Sequence, residues 1–161
     1  SGVPSRLRFV TLKSDFLYGL LDMKDQPVEH AMAEAWIDGR WVATDSYVVD
    51  NKLALAAHVK LVRERRTLGW GMHLHGNVTW DGQHSAFGQF NLADTASLPV
   101  HDWGAFNDPH QFYSAVPSVR KRLYWTHRAV WAMGSALVNR RVRVLRASLD
   151  KPPSDAKPVV R

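Results

Sequence analysis

The sequence contains no cysteine. That absence excludes disulfide bridges, thiolate metal sites and a thiol nucleophile of the chain's own, and it leaves the redox compartment unreadable. No apolar run approaches the roughly 18–20 residues that a membrane-spanning helix needs, and no basic, apolar and small-residue series marks a signal peptide. A soluble, cytoplasmic protein is therefore the expectation. Acidic residues are missing from one stretch in particular. Residues 118–147 hold eight Lys or Arg and no Asp or Glu, whereas residues 1–117 hold 10 against 13, so the net charge of +6 is concentrated late. An initiator Met is also missing: the chain starts Ser1-Gly2-Val3-Pro4, as a processed chain, an excised fragment or a renumbered one would.

What is present is enough for one core. With 161 residues, 45% hydrophobic content and seven Trp, the chain is the size of an ordinary single domain. The expected class is α+β, an antiparallel sheet of β-hairpins packed against helices. The domain is expected over residues 1–147, followed by a disordered tail over 148–161 that carries Pro152, Pro153 and Pro158.

Alternation of Leu7, Phe9 and Thr11 with Arg8 and Val10 predicts a strand over residues 6–12. Residues 13–29 read as an irregular connection. The clearest local signal is Asp38-Gly39, which supplies the positive φ angles of a two-residue hairpin turn between strands at 29–37 and 40–49. Leu53, Leu55, Ala56, Val59, Leu61 and Val62 then predict a helix over 51–66, capped by Asp50 or Asn51 and ended by Gly69 and Gly71. A second hairpin is expected around Asp81-Gly82, with arms at 77–80 and 83–87. Residues 91–117, with Pro99, Gly104, Pro109 and Pro117, read as a long loop. Helical spacing returns at 118–138, and residues 139–147 suit either a continuing basic helix or a short strand.

Pairing the first hairpin about Asp38-Gly39 sets Ile37 opposite Arg40 and His30 opposite Tyr47. Side chains on one face recur every second residue, so Asp45 shares the face of His30, diagonal to it and within reach of a hydrogen bond. Met32, Glu34, Trp36, Trp41 and Ala43 belong to the same face. Ala31, Ala33, Ala35, Ile37, Val42 and Thr44 form the other, small and apolar, as a face laid against a helix would be. A histidine held by a carboxylate on the next strand is half of a nucleophile-activating triad. For a lone His and Asp a purely structural bond is the commoner arrangement.

The series His30-Ala31-Met32-Ala33-Glu34-Ala35-Trp36, then Asp38-Gly39-Arg40-Trp41-Val42, then Asp45, resembles the signature of the transglutaminase-like superfamily of papain-like cysteine enzymes. Gly2-Val3-Pro4-Ser5-Arg6 resembles the element that in this family follows the Cys-bearing helix and leads into a strand. The resemblance covers residues 2–50 and departs from the family at Met32, where many members have Trp. It implies a transglutaminase-like core, His30 as general base, Asp45 as its orienting carboxylate, and Glu34, Trp36, Trp41 and Tyr47 as neighbours of the site. The family's Cys would lie ahead of Gly2. Either the helix that bears it is absent from these residues, to be supplied separately and to cover the alanine face, or the protein is a non-catalytic relative. With the Cys supplied, the implied chemistry is attack on a peptide, amide or isopeptide carbonyl, with no cofactor, and transfer of the acyl group to water or an amine.

Two other readings come from the rest of the chain. His73 and His75 alternate on one expected strand face and His84 follows on the hairpin, with His101-Asp102 and Asp108-Pro109-His110 beyond them, a pattern that admits a metal ion with low specificity. Arg120, Lys121, Arg122, Arg128, Arg140, Arg141, Arg143 and Arg146, interleaved by Trp125 and Trp131, admit binding to nucleic acid or an anionic membrane. A solvated helix face is the commoner meaning of such a charge run.

Overall fold

A computed structural model describes residues 2–23, 26–45, 50–116 and 127–150, with the backbone alone at 127–133. The chain forms a mixed α+β fold. Strand β1 (Ser5–Leu12) leads through a 3-10 helix (Ser14–Leu17) to β2 (Val28–Ile37) and β3 (Arg40–Thr44). Helix α1 (Asn51–Glu64), the two-residue strands β4 (Leu68–Gly69) and β5 (Met72–His73), β6 (His101–Phe106), α2 (Pro109–Ala115) and α3 (His127–Ala147) follow. The main sheet is antiparallel throughout, in the order β3-β2-β1-β6.

The hairpin forms in the expected register. Ile37 faces Arg40 and Glu34 faces Ala43, and the turn residues Asp38 and Gly39 take φ of 48° and 78°. Two successive positive φ angles match the right-handed twist of the flanking strands, which is why an Asx-Gly pair is favoured there. On the other side β1 is paired so that Val10 faces His30 and Phe9 faces Ala31.

This register sorts the sheet into two faces. On one, Val10, Leu12 and Met32 are buried with Phe16 and Phe90. On the other, Phe9 packs against Phe112 of α2, their rings stacked at 4.0 Å between centroids and Phe106 meeting both edge-on. Phe112 is fully buried, and its truncation would cost about 3–5 kcal/mol. The alanine stripe of β2 is left outside this cover, with Ala31 and Ala33 exposed. Neither long helix lies over it: α1 and α3 pack on each other through Ala54, Ala57, Leu61 and Leu145, with Met72 between them.

Helix α1 starts where its cap was expected, the Asp50 carboxylate accepting the Leu53 N–H at 3.0 Å, and ends at Arg65 in the left-handed conformation. Asp50 also pairs with Arg146, and Lys52 reaches Asp150 at 2.9 Å, so the start of α1 is clamped to the end of α3. Residues 139–147 continue that helix, and Ser148–Asp150 add a 3-10 turn whose Leu149 packs on the helical core. Residues 117–126 and 151–161 lie outside the described residues.

Two expectations are corrected. The hairpin around Asp81-Gly82 does not form; the Asp81 carboxylate instead accepts the N–H groups of Gln83 and His84 at 2.8 Å, folding the segment into a local turn that competes with strand pairing. Residues 91–117 are not a featureless loop either. They contain β6, which completes the free edge of β1, and α2, whose N-cap Asp108 accepts from the Gln111 N–H at 2.8 Å ahead of Pro109 in the first turn.

Candidate functional site

The sheet face that carries His30 is built from alternate residues of three strands. Arg6, Arg8 and Val10 of β1 stand beside Glu34, Met32 and His30 of β2, and β3 adds Trp41 and Ala43. The His30 imidazole is largely enclosed, and its Nε2 has no hydrogen-bond partner among the described residues. Burial pushes its pKa down from 6.5 to about 4, so the ring is neutral at physiological pH.

Asp45 follows the last residue of β3 and is buried. The paired register ends at Ala33 and Thr44, one residue short of Asp45, and only its continuation would set Asp45 on the face of His30. The contacts of Asp45 differ from the expectation, because none of the hydrogen bonds of the described residues joins it to His30. One oxygen of its carboxylate accepts the Gly88 N–H at 2.7 Å and the Gln89 N–H at 3.0 Å. The reason lies in the chain that runs beside β3: the Ala86 N–H bonds to the Ala43 carbonyl, the Asp45 N–H to the Ala86 carbonyl, and the Ala43 N–H to Ser85 Oγ. That pairing presents two backbone donors to the carboxylate. Gln89 Oε1, like His30 Nε2, is a buried polar atom without a partner among the described residues.

The expected neighbours form a cationic and aromatic cluster. Buried Glu34 accepts from Arg6 Nε at 2.5 Å and from Arg8 Nη1 at 3.4 Å. Arg8 also pairs with Asp102, the contact that does most to raise its pKa. The Arg6 guanidinium lies 3.9 Å over the Trp41 ring, and Trp36 meets Trp41 edge-on at 5.2 Å. Tyr47 lies outside the described residues. Met32, Glu34 and Trp41 line a cavity of about 420 Å³ that Phe87, Phe90 and Leu98 close from the loop side.

The later histidines do not converge. His73 is buried with both ring nitrogens engaged: Nδ1 accepts the His75 N–H at 3.0 Å, which leaves Nε2–H to donate to Asp94 at 3.0 Å. His84 pairs separately with Asp81 at 2.6 Å, and that bond holds the Asp81 carboxyl well below the usual carboxylate range. Among the described residues no three His, Asp or Glu are grouped so as to hold a metal ion. Of the basic run, Arg120, Lys121 and Arg122 lie outside the described residues, the Arg128 side chain is not described, and Arg140, Arg141 and Arg143 sit on α3. No described helix is long and apolar enough to cross a membrane.

Three members of this site were not named from the sequence: Arg6 and Arg8, which hold Glu34, and the Gly88–Gln89 backbone, which holds Asp45. For the arginines the signal was present, since they alternate on β1 with the same period as Glu34 on β2. For the backbone pair, 43 and 44 residues from Asp45, there was none. Compared with family models, curated proteins and solved structures, the chain matches none of them.

Proposed function

We propose that the chain is the histidine- and aspartate-bearing part of a transglutaminase-like cysteine hydrolase or acyltransferase, its thiol contributed by sequence outside these 161 residues. One observation carries the reading. His30 presents a neutral imidazole whose Nε2 has no partner among the described residues, within the series that resembles the family's signature and that ends on buried Asp45. In this reading the thiolate attacks an amide carbonyl, His30 accepts the thiol proton and returns it to the leaving amine, and water or a second amine resolves the acyl-enzyme.

The sheet register constrains where that thiol approaches. His30 and the exposed alanines stand on opposite faces, so a helix laid on Ala31 and Ala33 does not present a thiol to His30. In this reading the nucleophile approaches from the face of Met32 and Glu34, whose cavity of about 420 Å³ is lined by neither His30 nor Asp45. A second reading, a non-catalytic binding protein on the same scaffold, is favoured by the structural use of one Asp45 carboxylate oxygen on the Gly88 and Gln89 N–H groups.

The test uses the longest native polypeptide that contains this segment, with a fluorogenic peptide amide and a glutamine peptide plus a fluorescent primary amine. The expected result is turnover that thiol alkylation abolishes and that His30→Ala lowers by about 10²–10⁴-fold. Turnover by the Cys-free chain alone, or turnover indifferent to His30, would overturn the proposal. A folded, Cys-bearing protein inactive on both substrates would favour the binding reading.

A further inference from the structure

Three cations border one cleft that no carboxylate of the described residues lines. Helix α3 contributes Arg140 and Arg141 and α1 contributes Lys60, and together with Trp70, Leu137 and Val144 they line a cavity of about 630 Å³. No described Asp or Glu lines it. Of the nearby carboxylates, Asp50 pairs with Arg146 and Asp150 with Lys52, whereas Glu64, just outside the lining, accepts the Trp70 indole N–H at 2.7 Å, a neutral donor that does not offset its charge.

Two of the cations are nevertheless held in place. The Lys60 ammonium lies 5.1 Å over the Trp70 ring, and Arg141 Nη1 donates to the Leu20 carbonyl at 2.9 Å. A π face and a neutral carbonyl orient a cation without cancelling its charge. In the adjoining cavity, which shares Arg141, Arg66 and Arg141 are accompanied by Asp15 and Asp22, so of the two cavities the one between α1 and α3 has the larger excess of cations in its lining. The cleft is not purely ionic, since Val144 is 65% and Leu137 40% exposed at its rim.

We propose that this cleft binds an organic phosphate, with the phosphate among Lys60, Arg140 and Arg141 and an apolar or aromatic body against Trp70, Leu137 and Val144. Guanidinium groups offer paired donors that match phosphate oxygens, and a partly apolar cavity of this size encloses a small organic ligand. The site lies on the α1–α3 layer and is independent of the chemistry assigned to His30.

The test is calorimetric titration of the intact chain with adenosine monophosphate, dihexanoyl phosphatidic acid below its micelle concentration, and inorganic phosphate. One of the two organic probes is expected to bind at least about tenfold tighter than inorganic phosphate, and the tighter one identifies the source of the phosphate as nucleotide or lipid. Its affinity should fall as salt is raised from about 50 to about 200 mM. The Lys60→Gln/Arg140→Gln variant should lose about tenfold or more with its circular dichroism unchanged, while Arg143→Gln, off the cleft, retains wild-type affinity. Equal affinity for all three probes, no binding, insensitivity to salt, or full binding by the folded double variant would overturn the proposal. The probe and salt comparisons on the wild type stand even if the double variant does not fold.

Discussion

The Asp45 carboxylate accepts the Gly88 N–H at 2.7 Å, and through the same oxygen it accepts the Gln89 N–H at 3.0 Å. This is how the end of β3 is tied to the loop that closes the His30 face. Removing the carboxylate strands two donors, each worth about 1–3 kcal/mol when buried and unsatisfied. Asp45→Ala should therefore cost about 2–4 kcal/mol in urea denaturation, and Asp45→Asn, which keeps one acceptor oxygen, distinctly less. A loss below about 0.5 kcal/mol for the alanine variant would mean that this clamp is not what fixes the loop.

His30 makes stability pH-dependent in a direction that can be stated. Its pKa is about 4 in the folded protein against 6.5 for the ordinary group, so between these values the unfolded chain binds more protons. Its contribution is thus fully present above about pH 6.5 and is lost as pH falls toward 4, by up to roughly 3 kcal/mol. His30→Leu should flatten that part of the stability curve. Parallel curves for the two proteins between pH 7 and 4.5 would show that the ring is not desolvated.

Gly76 passes so close to Gly88 that a Cβ placed on it would lie 2.4 Å from the Gly88 carbonyl oxygen, an atom that cannot rotate away. Gly76→Ala should cost about 2–3 kcal/mol by overpacking. Gly82 provides the contrast: its φ is +80° but nothing lies within 4 Å of its Cβ position. Gly82→Ala should cost only the conformational strain, about 1–2 kcal/mol. The order of the two thermal midpoints checks the claim, and a reversed order would contradict the close backbone approach.

The His73–Asp94 pair is predicted to be structural. Asp94→Ala leaves the buried Nε2–H of His73 without its acceptor, although the partly exposed position admits water, so about 1 kcal/mol is expected. Chelator treatment should leave the unfolding midpoint where it was. A midpoint that falls with chelator and recovers with zinc would restore a metal role to these histidines.

Much of the sheet was legible because its causes are local. Asp38-Gly39 imposed the turn, period-two alternation then imposed the register, and from these it followed that His30, Glu34 and Trp41 share a face. The cap at Asp50 was legible for the same reason. Strand β6 was not. Its HDWGAF segment has little strand character of its own, and it pairs because β1 would otherwise present an unpaired edge. Helix α2 had a readable start in Asp108-Pro109 with Gln111, a signal masked by the surrounding prolines and glycine.

What the sequence alone determined, then, is which residue types stand at which height and on which side of a hairpin, since turn chemistry and strand period act over a few neighbours. The tertiary structure alone decided what those residues touch. Asp45 reaches two amides from a segment more than forty residues away, burial leaves His30 neutral, and Lys60 lines one cleft with Arg140 and Arg141 of another helix. Hydrogen-bond partners, desolvation and charge convergence depend on distance in space, and packing of the whole chain sets that distance.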